Sequence, residues 1–151
     1  PLANVMTPNL PEAGVLLESR APESVREMTR AAERLHRSMG SGERWVWLKG
    51  GHLPGGDATD LLFNGDRMIE ISRPRVETKN THGTGCTLSA ALAALLPQRP
   101  DVPSAAQDAK DYLTEALRRA DALDVGQGHG PVHHFHALWS GAGGSPRRGS
   151  I

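Results

Sequence analysis

Apolar residues along this 151-residue chain fall into short blocks with different periods. Val25, Met28, Ala32 and Leu35 recur at helical spacing with charges between them. That pattern predicts a helix from Pro22 through Met39, with Pro22 at a first helical position and Gly40 as the stop. Trp45-Val46-Trp47-Leu48 is a continuous apolar run and reads as a buried strand, which then enters the glycine loop Lys49-Gly50-Gly51-His52. Leu61-Leu62-Phe63 and Met68-Ile69-Glu70-Ile71 flank Asn64-Gly65-Asp66, the signature of a hairpin. Val76 marks a further short strand. Before these, Val5-Met6 is a short strand leading into Thr7-Pro8-Asn9-Leu10-Pro11-Glu12, with a brief helix from Pro11 toward Leu17. After them comes a helix rich in small residues, from about Thr84 to Leu96, ended by Pro97. Ser104-x-x-Gln107 is a capping box for a last helix running to about Leu123. Gly126, Gly128 and Gly130 form a flexible loop, Val132 to Trp139 is apolar and aromatic, and residues 140–151 are a Gly/Ser/Arg tail expected to be disordered.

Strands alternating with helices predict an α/β layered architecture with a largely parallel sheet. Such a small sheet would expose an edge unless something covers it. The chain also opens in the middle of an α/β rhythm. The expected organisation is therefore the C-terminal part of a larger domain over residues 1–139, followed by the flexible tail.

Charge and composition narrow the function. Lys+Arg and Asp+Glu are both 17, so the formal net charge is zero. Without a basic excess or a basic block, nucleic acid and membrane surfaces are not the expected partners. No apolar run approaches the ~20 residues of a membrane span. The single cysteine, Cys86, cannot form an internal disulfide, which favours a reducing, cytoplasmic setting.

The chemistry concentrates in Asn80-Thr81-His82-Gly83-Thr84-Gly85-Cys86, a glycine turn feeding directly into the small-residue helix. A helix start presents unpaired N–H groups and partial positive charge, so it suits an anion. The N–H groups of Gly83, Thr84, Gly85 and Cys86 are the candidate donors, and a thiol placed there should ionise more easily than a free cysteine. The turn is neither a Walker A loop nor a dinucleotide fingerprint. On the residues alone, it could also be only a tight loop packing a helix on a sheet. Lys49, at a strand end, could reach a phosphate or simply be solvated. Thr81 and His82 could touch nucleotide phosphates or only shape the loop. Asn9 and Glu12 suit a turn former and a first-turn helix charge. His133-His134-x-His136 could bind zinc, but no supporting Cys or tight acidic pair lies nearby, so packing is preferred.

Five stretches carry a resemblance: Thr7 through Ala13, Leu48 through Leu53, Asn80 through Ala91, Ala109-Lys110, and Gly128-x-Gly130-Pro131-Val132-His133-His134-Phe135. In this order the chain resembles hydroxymethylpyrimidine/phosphomethylpyrimidine kinases of thiamine biosynthesis, members of the ribokinase-like superfamily. The resemblance covers nearly everything from Val5 to Trp139. It implies a three-layer α/β/α fold and ATP- and Mg²⁺-dependent phosphorylation. The substrates implied are 4-amino-5-hydroxymethyl-2-methylpyrimidine and then its monophosphate, giving the diphosphate. Cys86 stands where the wider superfamily usually has Asp as the base that takes the alcohol proton. Asn9-Leu10-Pro11-Glu12 resembles the superfamily's Asn-x-x-Glu element, which implies Mg²⁺ near Asn9 and Glu12, held through water. A homodimer of the intact protein is also implied. The family's N-terminal half, with the first strands and most pyrimidine contacts, has no counterpart here, so this stretch alone is expected to be incomplete for activity. The alternatives are a related vitamin kinase acting on pyridoxine, or a non-catalytic remnant that binds nucleotide or a partner chain.

Overall fold

In the computed structural model, residues 3–51, 53–125 and 127–139 are described. Trp45–Leu48 forms the buried strand β2, and its alternate side chains face opposite ways. Trp45 and Trp47 join Leu62, Ile71, Leu88 and Leu92 in one core, while Val46 and Leu48 join Leu10, Met28, Leu35 and Leu61 in another. A strand buried on both faces needs apolar residues at every position, which explains the unbroken run. The elements in chain order are β1 (Val5–Met6), α1 (Leu10–Leu16), α2 (Val25–Ser38), β2, β3 (Asp57–Phe63), β4 (Met68–Pro74), α3 (Thr84–Leu95) and α4 (Val102–Arg118). Helices α1 and α2 cover one face of the sheet and α3 and α4 the other, giving the expected three layers.

The sheet is mixed, not largely parallel. Its order is β1-β2-β3-β4; β1 and β2 are parallel, while β2–β3 and β3–β4 are antiparallel. The cause is link length. A parallel connection needs a crossover of about a dozen residues or more. Only β1 to β2 has one, through α1 and α2; the links 49–56 and 64–67 can only turn back.

Local signals moved several boundaries. Helix α2 starts at Val25 and not at Pro22, because the Ser24 side chain accepts the Glu27 N–H at 3.2 Å and caps it. Ser104 does not cap α4. Asp101 does, accepting the Ser104 N–H at 2.8 Å, and Pro103 sits in the first turn, where its missing donor costs nothing. The hydrogen bonds from Ser104 hold the Asp101 carboxyl below the usual range. Helix α4 ends at Arg118 and a 3-10 turn, Ala120–Ala122, follows. Val76 lies in an extended link outside the sheet, and Leu96–Gln98 carries α3 into a 3-10 turn around Pro97. His52, Gly126 and the tail 140–151 lie outside the described residues. Among the described residues no helix is long and apolar enough to cross a membrane. The rings of the histidine segment pack on aromatics: His133 lies edge-on to Trp139, and His136 is tilted against Tyr112.

Candidate active site

The start of α3 is open. Gly83 takes φ +81°, a left-handed conformation that side chains disfavour, and turns the chain into the helix without offering a side-chain cap. The N–H groups of Gly85 and Cys86 find no acceptor among the described residues. Thr87 instead closes the first turn, its hydroxyl donating to the Gly83 carbonyl at 2.8 Å. Uncapped donors and the helix dipole leave this end electropositive.

Lys49 reaches the same place from β2. Its ammonium nitrogen lies 3.3 Å from where a Cβ on Gly85 would sit. Among the described residues it has no carboxylate partner. Lys49, Thr84 and Gly85 line one cavity of about 390 Å³, which Thr81, Asn9 and Leu113 also border. That is within the size range of small-molecule sites.

Cys86 is exposed and turns away from this cavity. It borders a shallower groove with Ala90, Tyr112 and His134. The helix start therefore lies between the Lys49 cavity on one side and the thiol on the other. Thr81 lines the cavity, but His82 does not: its N–H donates to the Gly130 carbonyl at 3.1 Å, and it pairs with Pro131 in a short parallel bridge.

Asn9 and Glu12 form a reciprocal cap on α1. The Asn9 side-chain oxygen accepts the Glu12 N–H, and Glu12 Oε2 accepts the Asn9 N–H, both at 2.8 Å. The local roles read from the sequence are thus both present. Among the described residues Glu12 Oε1 has no partner, and Asn9 is bridged to Lys49 at the cavity wall, which Glu12 does not line.

The structure adds residues that the sequence did not single out for a role. Asp60 on β3 is 1% exposed and pairs with Lys110 on α4, 6% exposed, at 2.7 Å. Asn80 is 4% exposed. Its side-chain NH₂ donates to Asp121 at 2.9 Å and to the Ala120 carbonyl at 3.2 Å, which fastens the cradle loop to the end of α4. Arg75 donates to the carbonyls of Gly51, Leu53 and Gly55 and so shapes the β2–β3 loop at the cavity rim. Arg73, also on the cavity wall, is hydrogen-bonded to Asp111, which raises its already high pKa and keeps it charged.

The phosphomethylpyrimidine kinase family model matches residues 1–133. The chain belongs to that family. This family member is 49% identical over 139 residues to the hydroxymethylpyrimidine/phosphomethylpyrimidine kinase of Rhizobium meliloti (strain 1021), covering 92% of the chain and 51% of the relative. The enzyme of the same name from Escherichia coli (strain K12) is 48% identical over the same length, with the same coverage. The chain thus spans about half the length of the curated relatives it matches. Among solved structures, the ADP complex of Bacillus subtilis pyridoxal kinase superposes with a TM-score of 0.82 at 33% identity, covering 91% of this chain and 50% of that one. The ribokinase-like α/β fold expected from the motifs is therefore the fold of this phosphomethylpyrimidine kinase family member.

Proposed function

We propose that this chain is the phosphoryl-transfer part of an ATP-dependent kinase acting on 4-amino-5-hydroxymethyl-2-methylpyrimidine and then on its monophosphate. The observation that carries this reading is the Lys49 ammonium, without a carboxylate partner among the described residues, held over the open start of α3 at the edge of a nucleotide-sized cavity. Phosphoryl transfer spreads negative charge over the equatorial oxygens, and fixed N–H donors with a cation are what stabilise it. The N–H groups of Gly83, Gly85 and Cys86 serve as the anion hole, that of Thr84 being turned to the Thr81 carbonyl at 3.4 Å, while Lys49 and Thr81 contact the nucleotide phosphates. His82 does not line the cavity, and its backbone is bonded to Gly130, which supports a role in the loop.

Cys86, exposed on the other side of the helix start, takes the hydroxymethyl proton as general base. The free oxygen of Glu12, with Asn9 beside it, would hold Mg²⁺ through water. Mg²⁺ keeps several waters and usually takes one or two carboxylates with substrate phosphates, so the sparse donor set here fits it. Bound there, the ion would neutralise phosphate charge.

The relatives' names support the pyrimidine substrate, and the half-length match supports residues 1–139 as a portion of a longer kinase domain, its C-terminal part by the motifs they carry. A second reading, a pyridoxal-type kinase, is favoured by the pyridoxal kinase structures at similar fold distance. Assaying the full-length protein on both alcohols separates the two. Turnover of the hydroxymethylpyrimidine and its monophosphate is expected; activity on pyridoxal alone overturns the pyrimidine assignment. Lys49→Met removes a charge-assisted contact of about 1.5–3 kcal/mol. The ATP kcat/KM should therefore fall roughly 10–100-fold, measured at saturating pyrimidine. An unchanged value removes Lys49 from the site.

A further inference from the structure

Asp60 and Lys110 form a buried ion pair on the wall of the nucleotide cavity. A buried pair of this kind is poor evidence for stability, since apolar residues of similar volume often do as well. Its hydrogen bonds suggest another use. Asp60 Oδ2 accepts from Lys110 Nζ at 2.7 Å and from the Trp47 indole at 3.1 Å, while Oδ1 accepts the Gly50 N–H at 2.9 Å. The Gly50 N–H belongs to the peptide that follows Lys49. The N–H of Lys49 itself donates to the Pro8 carbonyl at 2.9 Å. Both peptides flanking the Lys49 Cα are therefore pinned, one to the β1–α1 link and one to Asp60.

We propose that Asp60 is a positioning residue that aims Lys49 at the start of α3, and that Lys110 makes this possible by neutralising Asp60. A lysine is a point charge on a flexible stem, so where its ammonium ends depends on how its backbone is held. Lys110 has a second effect. By taking the Asp60 charge, it leaves the Lys49 ammonium free for an incoming phosphate. The inference rests on the reading of Lys49 as a nucleotide-phosphate contact.

Single substitutions leave a buried charge alone and can unfold the chain. The test therefore uses two uncharged pairs in the full-length protein. Asp60→Asn/Lys110→Met keeps an acceptor for the Gly50 N–H, and Asp60→Leu/Lys110→Met removes it. For each, the thermal midpoint, the KM for ATP and the KM for the pyrimidine are measured, with and without Lys49→Met. The Asn/Met pair should keep the ATP KM within about threefold, and the Leu/Met pair should raise it about tenfold with the pyrimidine KM unchanged, the size of one lost hydrogen bond at the site. Adding Lys49→Met to the Leu/Met pair should change the ATP KM about tenfold less than it does in the unaltered protein, because coupled residues are not additive. Equal ATP KM values in the two pairs, or full additivity with Lys49→Met, overturn the proposal. So does a Leu/Met pair that raises both KM values together. If the Leu/Met chain does not fold, an Asn/Met pair whose ATP KM rises tenfold at an unchanged thermal midpoint overturns it, and one within threefold that responds fully to Lys49→Met supports it. Should Lys49→Met alone leave ATP binding untouched, the reading of Lys49 fails by itself, visibly separate from these pair comparisons.

Discussion

Cys86→Ala in the full-length protein is expected to separate two reactions that share one site. Phosphorylating a hydroxymethyl group requires loss of the alcohol proton, and a positioned general base contributes about 10²–10⁴-fold. Phosphorylating the resulting monophosphate does not, because a phosphate monoester, with a second pKa of ~6, is already ionised near neutral pH. Alanine keeps the backbone N–H at position 86, so the proposed anion hole survives. The first step should lose about a hundredfold or more in kcat/KM, and the second less than about threefold, consistent with a loss confined to proton transfer. Equal losses in both steps would remove Cys86 from the role of base.

Gly130→Ala should give the opposite pattern. A Cβ at Gly130 would lie 2.2 Å from the Asn80 side-chain oxygen and 2.9 Å from its carbon. Asn80 cannot swing aside without giving up its bonds to Asp121 and the Ala120 carbonyl. The alternative, retreat of the 128–131 segment, breaks the bond from the His82 N–H to Gly130. Either movement shifts the backbone of the cradle. Misplacement of about 1 Å can cost about 10²-fold even when the altered residue is far from the chemistry. In the proposed mechanism both phosphorylations use that backbone, so both should fall by about this factor, with their ratio unchanged. A loss confined to the first step would mean that the cradle is not shared.

Much of this was legible from the sequence. The unbroken run at Trp45–Leu48, the hairpin around Asn64-Gly65 and the glycine turn before Thr84 each carry their signal within a few residues. Strands alternating with helices point to a parallel sheet, and the stretch 49–60 between the two apolar runs is just long enough for a crossover. Only the structure shows that β3 begins at Asp57, through residues that are exposed or half-buried, which leaves a link too short for one. The cap of α4 lies three residues before Ser104 because Asp101-x-x-Ser104 competes with Ser104-x-x-Gln107, and the carboxylate two residues before Pro103 wins. Asn9-x-x-Glu12 is a capping pattern as it stands, so its local role was readable, whereas its relation to Mg²⁺ depends on a ligand. Asp60 and Lys110 were not legible as a pair. Asp60 directly precedes Leu61-Leu62-Phe63, and Lys110 sits between Asp108 and Asp111, which look like its natural local partners. Nothing local says that residues 50 apart in sequence neutralise one another. The same holds for Lys49 and Gly85, which meet only because β2 and α3 lie in neighbouring layers.

The cavity wall is assembled from distant parts of the chain: Asn9 before α1, Lys49 after β2, Arg73 on β4, Gly85 on α3 and Leu113 on α4. No stretch of unfolded chain reproduces it. Occupancy and folding are thereby linked: whatever binds there binds the native state alone, and a ligand at a hundred times its dissociation constant adds about 2.7 kcal/mol to the free energy of unfolding. A thermal midpoint that climbs with nucleotide concentration would be the direct reading of that linkage; a flat one would mean that the native chain does not bind the nucleotide.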